Sequence, residues 1–121
     1  MLNQGTPIYL ITGFLDAGKT DFITFTMQQP YFDSGERTVL IVCEEGEKEY
    51  DPVLLADHNT VQVMCESEAD FTTDFLKNIK RKYRPERVLI EYNGMWRLPT
   101  IMDMKLPFNW DIYQVSNIVN G

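Results

Sequence analysis

One stretch of the chain combines residue types and a spacing that suit the binding of a phosphate chain. Gly13-Phe-Leu-Asp-Ala-Gly18-Lys19-Thr20 matches the pattern G-x-x-x-x-G-K-[ST] at every fixed position. The glycines let the backbone wrap a phosphate with its N–H groups pointing inward. Lys19 would place a positive charge near the β- and γ-phosphates, and the Thr20 hydroxyl would be a ligand of Mg²⁺. This stretch therefore predicts a site for a nucleoside triphosphate.

The elements around this loop are the ones that such a site needs. Residues 7–12 are continuously apolar and rich in β-branched and aromatic side chains, which predicts a strand buried on both faces. Residues 19–29 are expected to form a helix that ends before Pro30. The N-terminus of a helix favours anions through its dipole and its free N–H groups. A strand, a loop and a helix in this order strengthen the prediction of phosphate binding.

The rest of the chain alternates between strands and helices. Further strands are predicted at residues 38–43, 61–65, 87–92 and 110–119, with a loop or short helix over residues 94–105. This alternation predicts an α/β fold of the P-loop nucleoside-triphosphatase type, with three layers and a mainly parallel sheet. No closing helix follows the last strand, so we expect residues 1–121 to be one domain that is incomplete at its C-terminus.

One further helix is predicted between Ser67, as its N-cap, and Pro85, which would stop it. Its apolar side chains recur at a spacing of four and form one stripe, namely Phe71, Phe75, Ile79 and Tyr83, widened by Leu76. Six of the 11 basic residues lie toward its end, namely Lys77, Lys80, Arg81, Lys82, Arg84 and Arg87. Cations at this end complement the helix dipole, so we interpret them as a solvated helix end.

Composition and charge exclude several classes of protein. The chain has 121 residues and a net charge of −7, and a general nucleic-acid binder would need a basic face. No apolar run approaches the roughly 20 residues that span a bilayer, so we expect no insertion into a membrane. The two cysteines, Cys43 and Cys65, do not form a disulfide framework, and we expect a cytoplasmic protein with reduced thiols.

Carboxylates beyond the loop suggest where the remaining ligands of Mg²⁺ come from. Glu91 ends a predicted central strand, and such strand ends lie beside the phosphate loop. Gly94 would let its backbone N–H approach the γ-phosphate. Residues 44–51 hold five carboxylates in eight positions. Glu47 and Asp51 are the candidates there for Mg²⁺ or for a coupled metal, although a solvated acidic loop is the alternative.

Three motifs together resemble the CobW/HypB/UreG group of P-loop GTPases, most closely its CobW-like branch. The first is the strand and loop ending in Gly-Lys-Thr, residues 7–20. The second is the run from Glu44 to Asp51, where the family has Asn-Glu-Phe-Gly-Glu-x-x-x-Asp and this chain has Cys43 and Glu45 at the asparagine and phenylalanine positions. The third is Glu-x-x-Gly, here Glu91 to Gly94. The resemblance covers nearly the whole chain.

The resemblance implies a GTP-binding domain with slow, Mg²⁺-dependent hydrolysis, coupled to metal delivery or to the assembly of a metallocentre in a partner protein. Lys19 and Glu91 are the expected catalytic residues, and Thr20, Glu47, Asp51 and Glu91 the expected ligands of Mg²⁺. The expected nucleotide-binding residues are Gly13, Asp16, Ala17, Gly18, Lys19, Thr20, Asp21 and Gly94. Asp16 adds a negative charge near the phosphates.

A transition-metal site is a weaker prediction. Family members often carry Cys-x-Cys-Cys followed five residues later by Asp-Leu, a cluster that suits zinc or cobalt. Here only Cys65 remains, and Gln62 and Met64 occupy the other two cysteine positions before Asp70. Cys65 is therefore interpreted mainly as a buried structural cysteine, with a role as a metal ligand as the alternative.

Two other functions remain open at this point. One is a scaffold that binds nucleotide without hydrolysing it. The other is an ATP-using enzyme, because the guanine-selective motif Asn-Lys-x-Asp is absent from the 121 residues. In the family that motif lies further along the chain. The residues after Gly94 are rich in large apolar side chains, among them Met95, Phe108 and Trp110, which we interpret as core that packs against a further part of the protein. If that part is missing, exposure of this surface would favour self-association.

Overall fold

The protein is described by a computed structural model over residues 5–13, 16–32, 35–43 and 50–118. Five strands in this part form one sheet, with order β3-β2-β4-β1-β5 and only parallel neighbours. The strands are β1 (Thr6–Gly13), β2 (Thr38–Val42), β3 (Thr60–Met64), β4 (Arg87–Glu91) and β5 (Trp110–Ile118). Helices flank the sheet, so the predicted P-loop nucleoside-triphosphatase type of α/β fold is confirmed.

The central strands are buried on both faces, as their continuous apolar runs predict. All five residues of β2 and all five of β4 are buried. Side chains alternate between two cores, so that Ile90 packs on one face of the sheet and Leu89 on the other. The same alternation puts the Glu91 side chain on the face of Leu89. Glu91 is therefore a buried carboxylate at the end of a strand and not a solvated one.

Four α-helices are described, and the first one begins earlier than expected. They are α1 (Asp16–Met27), α2 (Pro52–Asp57), α3 (Thr73–Tyr83) and α4 (Leu98–Met102). Helix α1 begins three residues before the predicted start, because the end of the Gly-rich loop already has helical backbone. The N–H groups of its first turn, which have no acceptor within the helix, consequently belong to the loop motif itself. None of the described helices is long and apolar enough to cross a membrane.

The helix predicted after Ser67 is two elements. Ser67 caps only a short 3₁₀ helix (Glu68–Asp70), through a hydrogen bond from the Ala69 N–H to the Ser67 hydroxyl. Helix α3 has its own N-cap, Thr72, whose Oγ1 accepts from Phe75 N at 3.1 Å. The predicted N-cap of the α-helix was therefore wrong. Ser67 caps the preceding 3₁₀ helix, and the Thr72 hydroxyl further along the chain caps α3.

Helix α2 was not predicted, although its start carries two ordinary signals. Asp51 is its N-cap, and its Oδ1 accepts from Val53 N at 2.9 Å. Pro52 occupies the first turn, where a missing N–H costs nothing. The preceding acidic run made Asp51 look like part of a loop.

Arg87 was wrongly assigned to the solvated helix end. It is the first residue of β4 and is 4% exposed. Its guanidinium lies 3.6 Å from the centroid of the Phe32 ring, donates to the Thr38 hydroxyl at 2.6 Å, and pairs with Glu36 at 3.2 Å. An arginine at the start of a strand can be buried if every N–H donor of its guanidinium finds a partner.

Candidate functional site

The candidate site lies where the neighbouring strands β1 and β4 end. Ile11 is paired with Glu91 in their parallel register, so the carboxyl ends of both strands lie side by side. After β1 the chain continues to β2 and β3 on one side, and after β4 it continues to β5 on the other side of β1. Open parallel sheets bind ligands at such a reversal of strand order, outside the carboxyl ends of the strands.

Gly13 ends β1 in a backbone conformation that only glycine adopts readily. Its φ is +139°, and a Cβ at this position would lie 2.2 Å from the carbonyl oxygen of Ile118. Ile118 is its register partner in β5. The first glycine of the motif therefore has a structural reason that is independent of any phosphate, namely the close approach of β5.

Lys19 reaches the end of β4 from the first turns of α1. Its side chain is fully buried, and its Nζ donates a hydrogen bond of 2.7 Å to the backbone carbonyl of Tyr92. Tyr92 directly follows Glu91, so a cation and a carboxylate are held at adjacent positions of the same strand end. The lysine of the motif is thus held at the carboxyl end of β4.

Thr20 and Glu91 lie side by side although 71 residues separate them in the sequence. The Thr20 Oγ1 is 3.5 Å from both carboxylate oxygens of Glu91. A hydroxyl and a carboxylate are hard oxygen donors of the kind that Mg²⁺ prefers. Within the described part of the chain, the structure thus brings together Lys19, Thr20 and Glu91, which the sequence indicated separately.

Tyr50 is the member of this cluster that sequence reasoning missed. It is 5% exposed, and its hydroxyl donates a hydrogen bond to Glu91 Oε1 and also interacts with the Thr20 side chain. Burial and the adjacent Glu91 carboxylate raise the pKa of Tyr50 well above its usual value, so it is a neutral hydrogen-bond donor. The only sequence signal was a large aromatic residue directly after an acidic run.

The remaining predicted nucleotide and Mg²⁺ residues have varied positions. Asp51 caps α2 with its side chain, as described above, and is exposed. Asp21 is exposed on α1, one residue after Thr20, and Gly94 lies in a turn that begins at Asn93. Asp16, Ala17 and Gly18 form the start of α1. Glu47 and the side chains of Asp16 and Ala17 lie outside the described residues.

Both cysteines are buried thiols outside any disulfide, and they lie on the other face of the sheet from Glu91. Burial raises the pKa of Cys65 to about 11, which keeps this thiol protonated at neutral pH. Its Sγ donates to the Ser67 carbonyl at 3.5 Å. The described residues contain no group of three or more His, Cys, Asp or Glu side chains that could hold a metal ion. The geometry therefore gives no support to a metal site at Cys65, which stays a prediction.

An aromatic cluster packs against the end of β4 on the face of the sheet opposite Glu91. Tyr92 packs edge-on against Phe71 and Trp96, with ring centroids 5.8 and 5.7 Å apart, and its hydroxyl donates to the Arg97 carbonyl at 2.7 Å. Burial raises the pKa of Tyr92 to about 12. Of the apolar residues after Gly94, Met95 and Phe108 are 83% and 78% exposed. Self-association through them stays a prediction.

Comparisons with known proteins identify the family of the chain. The model of the family described as CobW/HypB/UreG, nucleotide-binding domain, matches residues 7–117. The chain is 30% identical to a zinc chaperone called CobW from Sinorhizobium sp., over 98% of the chain and 36% of that protein. It is 33% identical to the zinc chaperone YeiR of Escherichia coli (strain K12), over 82% of the chain and 31% of that protein. The chain thus spans about a third of the length of these relatives. No solved structure matches it significantly.

Proposed function

The chain belongs to the CobW/HypB/UreG family of nucleotide-binding domains, and on this basis we propose that it binds GTP with Mg²⁺ and hydrolyses it slowly. The observation that carries the proposal is the convergence of Lys19, Thr20 and Glu91 at the ends of β1 and β4. These side chains come from two separate motifs. Their meeting is difficult to explain as the chance occurrence of a single short pattern.

The donors at this point fit Mg²⁺. The Thr20 hydroxyl and the buried Glu91 carboxylate are hard oxygens 3.5 Å apart, and they would hold the ion in our proposal. When bound, Mg²⁺ would neutralise charge on the phosphates as the transferred phosphoryl group separates. Asp51 and Glu47 remain further candidates, and Asp51 would have to give up its capping bond to take part.

The chain's own groups would mainly position the substrate. The backbone N–H groups of Gly18 and Lys19, in the first turn of α1, would bind phosphate oxygens, and the Lys19 ammonium would exchange the Tyr92 carbonyl for a phosphate. Gly94 would offer its N–H to the γ-phosphate. We assign no dedicated general base among the described residues, so turnover is proposed to be slow.

The preference for GTP rests on membership of the family. The base-selective motif Asn-Lys-x-Asp does not occur in the 121 residues, so an ATP-using enzyme is the first alternative. A nucleotide-binding module without hydrolysis is the second, and it is favoured by one specific observation. The Tyr50 hydroxyl donates to Oε1 of Glu91, so this oxygen is less available to a cation than the other carboxylate oxygen.

Delivery of a metal ion is proposed for the longer protein context of this domain. The two relatives named above are zinc chaperones, and the chain spans about a third of their length. We propose that GTP binding and hydrolysis regulate transfer of a metal, with zinc as the first candidate cargo, to a metalloprotein partner. Cys65 alone is a poor carrier, because a buried protonated thiol must first be exposed and deprotonated.

The proposal is tested by single-turnover hydrolysis of GTP in the presence and absence of Mg²⁺, with ATP as a competitor. Glu91→Gln removes the carboxylate charge at the site, and Glu86→Gln removes an exposed carboxylate just before the same strand. We expect Glu91→Gln to lower the Mg²⁺-dependent rate at least about tenfold and Glu86→Gln to leave it unchanged. Equal rates in wild type and Glu91→Gln would refute the role of Glu91. Binding without turnover would support the non-hydrolysing alternative.

A further inference from the structure

The Tyr50 hydroxyl lies between the two side chains proposed to hold Mg²⁺. It donates to one carboxylate oxygen of Glu91 and also interacts with the Thr20 side chain. Thr20 and Glu91 are themselves 3.5 Å apart, so the three groups form one compact cluster. Tyr50 is not a predicted member of the site, and it falls outside the fixed positions of the acidic motif.

The reason for this contact is the burial of Glu91. A carboxylate that is fully buried is costly unless a donor or a cation compensates it. The Tyr50 hydroxyl supplies such a donor, and its ring packs in the core on the same face of the sheet, together with Leu40, Val42 and Leu89. The Tyr50–Glu91 hydrogen bond therefore compensates a buried carboxylate.

We propose that the Tyr50 hydroxyl competes with Mg²⁺ for Glu91 and Thr20, holding the pair when the cation is absent and releasing it when Mg²⁺ and nucleotide bind. This inference rests on the proposed function. Because an oxygen that accepts from Tyr50 binds a cation less strongly, the free energy of the bond from Tyr50 to Glu91 Oε1 is subtracted from Mg²⁺ binding wherever the cation uses that oxygen. Tyr50 is thus a positioning residue that sets how much Mg²⁺ the site requires.

Tyr50 also connects the site to the rest of the chain. It directly precedes Asp51, the N-cap of α2, whose side chain accepts from Val53 N at 2.9 Å. A displacement of the Tyr50 ring would pull on the first turn of this six-residue helix. Binding of Mg²⁺ would consequently shift α2, which packs against β3.

The test is the variant Tyr50→Phe, which removes the hydroxyl and keeps the ring in its core position. We expect Mg²⁺ to be required at about a tenfold lower concentration at saturating GTP, since the competing hydrogen bond to a charged group is gone. We also expect a lower melting temperature in EDTA without nucleotide, because the buried carboxylate has lost its donor. A purely structural role for Tyr50 predicts the loss of stability without tighter Mg²⁺ binding.

Tyr92→Phe is the matched control. Tyr92 is also a buried tyrosine beside Glu91, but its hydroxyl donates to the Arg97 carbonyl at 2.7 Å on the other face of the sheet. This variant should lose stability and leave the Mg²⁺ requirement unchanged. A second readout uses the wild type alone: Mg²⁺ added to the GTP-saturated protein should change the tyrosine ultraviolet absorption as the Tyr50–Glu91 bond breaks.

The outcomes separate this inference from the proposed function. If wild type binds GTP through Lys19 and Tyr50→Phe needs as much Mg²⁺ as wild type, the competition is refuted and the proposed function stands. If the wild-type absorption does not change on addition of Mg²⁺, the competition is refuted as well, even where Tyr50→Phe fails to fold. If wild type does not bind GTP at all, both are refuted.

Discussion

Replacement of Gly13 by alanine should destabilise the fold through its contact with β5, before any effect on nucleotide binding. The new Cβ would lie 2.2 Å from the Ile118 carbonyl oxygen and 3.1 Å from its carbonyl carbon. Both atoms belong to backbone, so no side-chain rotation can relieve the contact. Gly13 also has a φ of +139°, which L side chains rarely adopt. The variant must therefore shift β1 away from β5 or change its own backbone.

The two costs can be combined into a magnitude. A residue held in such a backbone region costs of order 1–3 kcal/mol, and forcing an extra methyl into packed backbone costs a similar amount. We expect a total loss of about 3 kcal/mol in the free energy of unfolding. With an unfolding entropy of about 2.1 cal/mol/K per residue, a chain of 121 residues loses about 4 °C in melting temperature per kcal/mol. The expected shift is about 12 °C.

Thermal unfolding followed by circular dichroism, without nucleotide, measures this shift. Gly35→Ala is the matched control, since Gly35 also has a positive φ, of +80°, but a methyl group added there would meet no atom within 4 Å. Its cost is the backbone term alone, about 1 kcal/mol or about 4 °C. If Gly13→Ala melted no lower than Gly35→Ala, the close approach of β5 to the loop would be contradicted.

Three further predictions concern buried polar groups. Arg87→Met should lower the free energy of unfolding, measured in urea, by about 3 kcal/mol, because the partners of a buried guanidinium lose their donors. The control Arg37→Met, at an exposed ion pair, should change this free energy by less than about 1 kcal/mol. The free energy of unfolding should fall as the pH rises from about 10 toward 12, in part because burial raises the pKa of Tyr92 to about 12 and the folded state favours its neutral form. Tyr92→Phe should make a urea-unfolding profile less steep in this range, while the buried Tyr50 and Cys65 retain part of the slope. Cys43 and Cys65 should react with an aromatic disulfide at least about a hundredfold more slowly in the native protein than in guanidinium chloride, and equal rates would contradict their burial.

The parts of the fold that were predicted correctly depend on local sequence. The continuous apolar runs of β2 and β4 indicated strands buried on both faces, since no polar residue interrupts them. The motif from Gly13 to Thr20 predicted a strand followed by a helix, and β1 and α1 occur in this order. These features need only neighbours within a few residues, so a single sequence contains them.

The parts that were missed depend on contacts between distant residues. Tyr50 joins the site through a carboxylate 41 positions away, and no spacing rule links an aromatic residue to such a partner. Arg87 looked like one more cation of a basic run, because its burial is decided by Phe32 and Thr38 on other elements. Thr72 and Ser67 are both good N-caps, and the chain leaves the helical conformation between them at Phe71, which has φ −83° and ψ 84° and is buried in the core.

We propose above that this chain binds a nucleoside triphosphate through Lys19 at the ends of β1 and β4. Calorimetric titration of GTP with Mg²⁺ into wild type, Lys19→Ala and Lys77→Ala tests it most directly, because Lys77 is an exposed lysine on α3 and controls for loss of one charge. We expect saturable binding by wild type and Lys77→Ala, and binding at least about a hundredfold weaker by Lys19→Ala. Binding of equal strength by Lys19→Ala, or no binding by wild type, would contradict it.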